Sequence, residues 1–190
     1  MGRPSLADVR RPQLLDAYAA CLARYGVEGT TLERVAEEVG VTRGLVRHYL
    51  GNREEVLRAL GEHVREGYAA WLENLVEASE ENERLDAVIA GILSEQPREL
   101  YSVIDALFDE AHRDPHIAAV LREIYTGFEH AMEVELAVAL PGSNPKARRQ
   151  VAYAIVCMAF AETDFDQIAF RPDRREATRA IARTLVDTLR

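Results

Sequence analysis

Thr42, Arg43, Gly44, Leu45, Arg47 and His48 fall on the outward side of one short predicted helix. Small, cationic and hydrogen-bonding side chains in that pattern suit base edges and phosphates, because an arginine fork matches the O6 and N7 of guanine and a hydroxyl can hold a phosphate oxygen. The inward positions explain how such a helix is held. Val35, Val39, Val41, Val46 and Tyr49 make one apolar face across two short helices, and Ala36 is small enough to bring them close. Gly40 lies between them, at a turn whose backbone calls for a positive φ that glycine adopts without a β-carbon clash. Two helices joined in this way, the second carrying a reading face, form a helix-turn-helix that enters the major groove. Thr31, Tyr49 and Arg53 complete the candidate DNA-contacting set. Arg43 and Arg47 are read as base contacts and Arg53 as a phosphate contact, whereas Tyr49 either packs inward or offers its hydroxyl to phosphate.

A second candidate chemistry is small-molecule binding. Trp71, Leu75, Tyr101, Ile104, Phe108, Leu121, Ile124, Tyr125, Phe128, Tyr153, Cys157 and Phe160 concentrate apolar and aromatic surface beyond the first third, with Asp105, His112, Thr163, Asp164 and Gln167 interspersed. An apolar cavity with a few convergent polar groups is how such sites are built, and plain core is the alternative. Glu162, Asp164 and Asp166 read as a solvated helix end, or as an attractor for a cationic ligand. His112 and His116 have the spacing of a helical metal pair, but Pro115 breaks the helix that would align them, so no metal is expected. There is no phosphate-cradling glycine loop, Gly-x-Ser-x-Gly or Cys-x-x-Cys, and no arranged catalytic dyad, so neither an enzyme nor a cofactor is expected. Cys21 and Cys157 each lie in a helical pattern and read as reduced, packing thiols.

The elements that position these residues are all helical. Pro12 suits a first turn and Gly26 the position after a last one, giving helix 1 over about 12–25, with Leu14, Leu15, Tyr18, Ala19, Leu22 and Tyr25 packing under the reading pair. Met1 to Arg11, with Arg3, Arg10 and Arg11, is then a basic arm that reaches phosphate or frays. Thr30 and Glu33 have capping-box spacing for helix 2, helix 3 starts at Thr42, and Asn52 caps a long helix 4 whose apolar positions continue to Leu75. Acid-rich 77–83 is a connector. Helices follow over 85–93, 100–112 and 115–140, the last capped by Asp114-Pro115. Pro141-Gly142-Ser143-Asn144-Pro145 is a strong breaker before two final helices, 145–170 and 173–189, divided at Arg171-Pro172-Asp173. The fold class is all-α with about nine helices: a helix-turn-helix DNA-binding domain over 1–53 and a ligand-binding and dimerisation domain over 54–190.

A chain of 190 residues with 48% hydrophobic residues can bury a core without disulfide or metal staples. No apolar run reaches the ~18 residues of a spanning helix, and the polar, basic start lacks a signal peptide, which points to a cytoplasmic protein. The net charge of −9 divides unevenly: eight arginines against six acids up to residue 53 leave that part mildly basic and the remainder strongly acidic. Such a distribution steers the basic part toward DNA; a merely soluble acidic surface is the bland alternative. Val151 to Ala161 is apolar all round a helix and must be covered on two sides. A second copy of the chain, meeting it together with Ile181, Leu185, Val186 and Leu189 of the last helix, would supply the second side.

The ordered string Leu14-Leu15-Asp16-Ala17, Tyr25-Gly26, Thr30-Thr31-Leu32, Val35-Ala36, Gly40-Val41-Thr42, Gly44-Leu45-Val46, Tyr49 and Gly51-Asn52-Arg53-Glu54-Glu55-Val56-Leu57 resembles the TetR family of transcriptional regulators over about the first third of the chain. Arg47 stands where that family most often has tyrosine, and Leu50 and Arg53 stand where phenylalanine and lysine are usual. The resemblance implies a homodimer on a palindromic double-stranded DNA operator, acting as a repressor released by a small-molecule effector bound in the later helices. A constitutive DNA-binding regulator without ligand, or an α-helical small-molecule carrier, stays open as an alternative.

Overall fold

The structure is a computed structural model that describes residues 6–81, 83–170 and 173–190, with side chains from residue 10 onward. Among the described residues there are nine α-helices and no strand: α1 (Leu6–Gly29), α2 (Leu32–Glu38), α3 (Arg43–Leu50), α4 (Arg53–Glu77), α5 (Arg84–Ile92), α6 (Arg98–Ala111), α7 (Pro115–Ala139), α8 (Pro145–Gln167) and α9 (Arg174–Asp187). No helix among them is long and apolar enough to cross a membrane.

Local chemistry accounts for most of the boundaries. Asn52 caps α4 through a reciprocal pair, its Oδ1 accepting from the Glu55 N–H at 3.0 Å while Glu55 Oε2 accepts from the Asn52 N–H at 2.7 Å. Asn144 Oδ1 accepts from Lys146 and Ala147 at the start of α8, with Pro145 in the first turn, where a missing N–H breaks no bond. Asp114 accepts from the His116 N–H at 2.9 Å and opens α7, so Pro115 does separate His112 from His116.

Two boundaries near the start differ from the expectation. Helix α1 begins by Leu6, with Pro12 inside it; Leu, Ala and Arg upstream are good helix formers, and a single absent hydrogen bond does not stop them. Arg10 and Arg11 are therefore helical and exposed rather than part of an arm, while Arg3 and the Arg171-Pro172 separator lie outside the described residues. At Gly26 the backbone leaves the helical region (φ 67, ψ 179), and the Thr30 hydroxyl donates to the freed Gly26 carbonyl at 2.7 Å. Thr30 is thereby buried, and Thr31 takes over as the cap of α2.

The chain packs as two compact units that do not follow chain order: one takes residues up to Gly67 together with Pro97–Arg122, the other Tyr68–Gln96 with Glu123–Arg190. In the first, α6 packs along α1, and Arg58 Nε on α4 lies 2.5 Å from Asp114 Oδ2 at the α6–α7 corner. The hydrogen bond from Arg58 holds the Asp114 carboxyl below its ordinary range.

In the second unit, α8 and α9 pack on each other and on α5, around Val88, Ile89, Val151, Ile155, Ala182 and Val186. Here α8 leaves bare the side expected to meet a second copy, and three other expectations are corrected: the packing of Cys157, the place of Val186 and the acidic end of α8. Helix α8 is covered on one side only within the chain: Val151, Ala152, Ile155 and Val156 are buried, whereas Tyr153 is 61% exposed and Cys157 is exposed, so Cys157 has no packing role in the single chain. Val186 faces inward and Ile181, 52% exposed, faces out, because the two lie five residues apart on α9 and so on opposite sides of it. The acidic end of α8 is not a solvated patch. Glu162 is 95% buried, with Arg174 Nε 3.0 Å from its Oε2 and the Thr178 hydroxyl donating to its Oε1 at 2.5 Å; Asp166 pairs with both Arg174 and Arg175. Only Asp164 of the three stays exposed. The i, i+4 spacing of Glu162 and Asp166 puts them on the α9 side of α8, where the basic start of α9 neutralises them.

Candidate nucleic-acid interface

Val35 and Val46 have no exposed surface, Ala36 and Leu50 are buried, and Val39, Val41 and Tyr49 are half-buried. Between the helices Gly40 has φ 66, and the Val41 N–H bonds the Ala36 carbonyl at 2.9 Å, closing the turn as the sequence implied. Thr42 caps α3, its hydroxyl accepting from the Leu45 N–H at 3.3 Å. Leu50 occupies the packing position, as its apolar character implied.

On the outer side Thr42, Arg43, Gly44, Arg47 and His48 are exposed and Leu45 is half-buried, so one face of α3 carries the predicted reading residues together. Tyr49 sits edge-on to His48 with ring centroids 5.2 Å apart. Thr31 is exposed at the start of α2; its oxygen accepts from the Arg34 N–H, which leaves the hydroxyl proton to donate. Arg53, at the start of α4, reaches the Val27 carbonyl at 3.4 Å.

Ion pairs hold this surface in ways that sequence reasoning did not find. Arg24 on α1 binds Glu38 on α2 at 2.8 Å, and Arg43 Nε lies 2.7 Å from Glu33 Oε1. Arg34 donates to the Gly29 carbonyl and lies 4.5 Å from the centroid of the Tyr25 ring. Tyr25, expected under the reading pair, is 41% exposed instead, with the guanidiniums of Arg24 and Arg34 over its ring rather than apolar side chains. Opposite charges at outward positions on either side of the turn were the available signal for the Glu33–Arg43 pair.

The candidate ligand residues are divided between the units. Tyr101, Ile104, Asp105, Phe108 and Leu121 belong to the first, and the others to the second. Within the second, Tyr68 and Trp71 of α4 stand edge-on to Phe128 at 4.9 and 6.3 Å, and Tyr125 meets Phe160 at 5.9 Å. Leu75 is half-buried and Ile124 buried. Tyr153, Cys157 and Asp164 share the outward side of α8, where hydrogen bonding to the Cys157 thiol raises the Tyr153 phenol above its ordinary pKa. An open cleft of about 770 Å³ in this unit is lined by Glu80, Leu85, Ile89, Val138, Arg183 and Val186 among others, none of them a predicted ligand residue. In the first unit, His48 and Tyr49 border a groove of about 860 Å³ with Arg11, Glu55, Arg58, His63 and His116.

Residues 14–60, from α1 into α4, match the family model described as bacterial regulatory proteins, tetR family. Over these residues the chain is similar to the TetR family. The HTH-type transcriptional regulator BetI of Burkholderia thailandensis is 36% identical over 92 residues, 47% of each chain, and that of Burkholderia ambifaria is 35% identical over the same length. The chain thus spans about half the length of the curated relatives it matches. Among solved structures, a TetR transcription regulator from Haloarcula marismortui matches with a TM-score of 0.80 at 14% identity, over 95% of this chain and 98% of that one. A transcriptional regulator from Saccharomonospora viridis in complex with choline matches at 0.75 and 12% identity, over 94% and 96%. The TetR fold therefore extends through α9.

Proposed function

We propose that the chain is a cytoplasmic, DNA-binding transcriptional repressor that holds a palindromic operator as a homodimer and is released by a small molecule. The observation that carries this reading is the exposed face of α3, with Thr42, Arg43, Arg47 and His48 outward over the buried Val46. A helix so presented places hydrogen-bond donors where base edges lie. In functional terms residues 1–53 are the DNA-reading part and 54–190 the effector and dimer part, although packing divides the chain differently. Dimerisation is supported by the apolar stripe of Tyr153, Cys157 and Phe160 on α8 with Ile181 on α9, exposed in the single chain. A second copy laid on that stripe would remove it from water and supply a second reading head.

The effector reading draws on the aromatic group of Tyr68, Trp71, Tyr125, Phe128 and Phe160. Aromatic faces attract organic cations, and the Saccharomonospora viridis neighbour was solved with choline, so small organic cations are the first effectors to test. Selection of duplexes from a random library, with light scattering on the free protein, tests the DNA reading: an enriched palindrome with half-sites about 34–36 Å apart, or a near multiple, and a dimer in solution are expected. A monomer that enriches no palindrome overturns it. Trp71, the single tryptophan of the chain, then reports ligands by its emission, and an effector must weaken operator binding by the same factor as operator weakens effector binding. A ligand that binds tightly and leaves operator affinity unchanged would favour a constitutive DNA-binding protein.

A further inference from the structure

Glu33 and Arg43 stand on different helices, α2 and α3, yet the Arg43 Nε lies 2.7 Å from Glu33 Oε1, with both side chains more than half exposed. An exposed ion pair in water contributes little to stability, so holding the two helices together is not its main consequence. A carboxylate on a surface that meets phosphate also opposes association. The position of the contact gives it a use. The 2.7 Å contact is made through Nε, whereas the groups that grip guanine O6 and N7 are the terminal nitrogens of the planar guanidinium. Arg43 is moreover the first residue of α3, at the positive end of the helix dipole, where a cation is repelled and an unheld arginine would swing away. Glu33 counters that repulsion from the first turn of α2, a position that favours an acid. Arg47, one turn along α3, makes no ion pair among the described residues.

We infer that Glu33 is a positioning residue that aims the Arg43 guanidinium at one base pair, making Arg43 a sequence reader rather than a mobile phosphate contact. This inference rests on the DNA-binding reading above. The experiment measures the dissociation constants of the selected duplex and of each single-base-pair variant for the wild type, Arg43→Ala, Glu33→Gln, Glu33→Asp and the Arg43→Ala/Glu33→Gln pair. Arg43→Ala is expected to abolish discrimination at one base pair, a loss on the order of 10- to 100-fold. Glu33→Gln is expected to lower discrimination at that same base pair at least about threefold, to leave the others unchanged, and to raise affinity for non-specific DNA by removing a repelled charge. Glu33→Asp, which keeps the charge on a shorter arm, restores part of the loss, and in the Arg43→Ala background Glu33→Gln changes no preference. An unchanged profile in Glu33→Gln, or an equal effect with and without Arg43, overturns the inference. A switch in the preferred base that persists without Arg43 overturns it too, since Glu33 would then read DNA directly. If the wild type enriches no duplex at all, the DNA-binding reading fails first and this inference falls with it.

Discussion

Replacing Glu162 with alanine is expected to destabilise the second unit far more than replacing Asp164, two residues further along the same helix. Glu162 is 95% buried and faces Arg174, whose side chain is 11% exposed, with 3.0 Å between Oε2 and Nε; its other oxygen accepts from Thr178. Removing one member of a buried pair leaves the other charge uncompensated, a loss of about 3–5 kcal/mol. Arg174 keeps Asp166 and the Phe170 carbonyl at 2.8 Å, and Thr178 keeps the Arg174 carbonyl at 3.0 Å. The loss should therefore fall at or below the lower end, about 2–3 kcal/mol, which for a chain of this size lowers Tm by roughly 5–10 °C. Glu162→Gln retains an acceptor for Thr178 and should lose about 1–2 kcal/mol. Asp164→Ala, at an exposed position, should stay within about 0.5 kcal/mol of the parent. Thermal and urea unfolding followed by circular dichroism, at fixed protein concentration because association shifts apparent stability, measures all three. Equal stabilities for Glu162→Ala and Asp164→Ala would refute the reasoning. So would an independent, additive effect of Glu162→Met and Arg174→Met, since contacting partners should couple by about 0.5–3 kcal/mol.

Asp114 carries a pH dependence. Its carboxyl is held below the ordinary value of 3.8, first by the hydrogen bond from Arg58, so it contributes stability that is present above that value and is lost as pH falls through the depressed one. Acid titration of unfolding from pH 5 downward should show a falling limb in the wild type that Asp114→Asn flattens, with the variant already less stable at neutral pH; parallel curves would contradict the pairing. Cys157→Arg should leave the monomer folded, because the side chain is exposed within the chain, and should abolish the proposed dimer by burying a guanidinium in an apolar interface, at several kcal/mol. Light scattering that still reports a dimer with native helicity would move the interface away from this face of α8.

The reading pair was legible because its determinants are local. Gly40 takes the positive φ it was assigned, Asn52 caps α4 where the sequence put it, α3 starts one residue after the expected Thr42, which caps it, and Val35 and Val46 are buried at helical spacing. The later helices were found as elements by the same periodicity, with breakers at Pro115 and at 141–145. The cap of α2 was misplaced by one residue because a bond from Thr30 back to the Gly26 carbonyl, which no pattern of side-chain types announces, removed Thr30 from the cap.

By itself, then, the sequence determined helix content, caps and turns and the outward chemistry of α3, since each depends on residues within about one or two turns of one another. Tertiary structure alone decided which charges meet. Glu33 with Arg43, Arg24 with Glu38, Arg58 with Asp114, and Glu162 with Arg174 join residues 10, 14, 56 and 12 positions apart. It likewise decided that 97–122 pack in one unit with α1–α3, and that the apolar α8 keeps one side covered and Tyr153 and Cys157 bare. A charge or an apolar residue looks the same in sequence whether it faces water, a neighbouring helix or an ionic partner; its partner is set only when helices from distant parts of the chain pack and take it out of solvent.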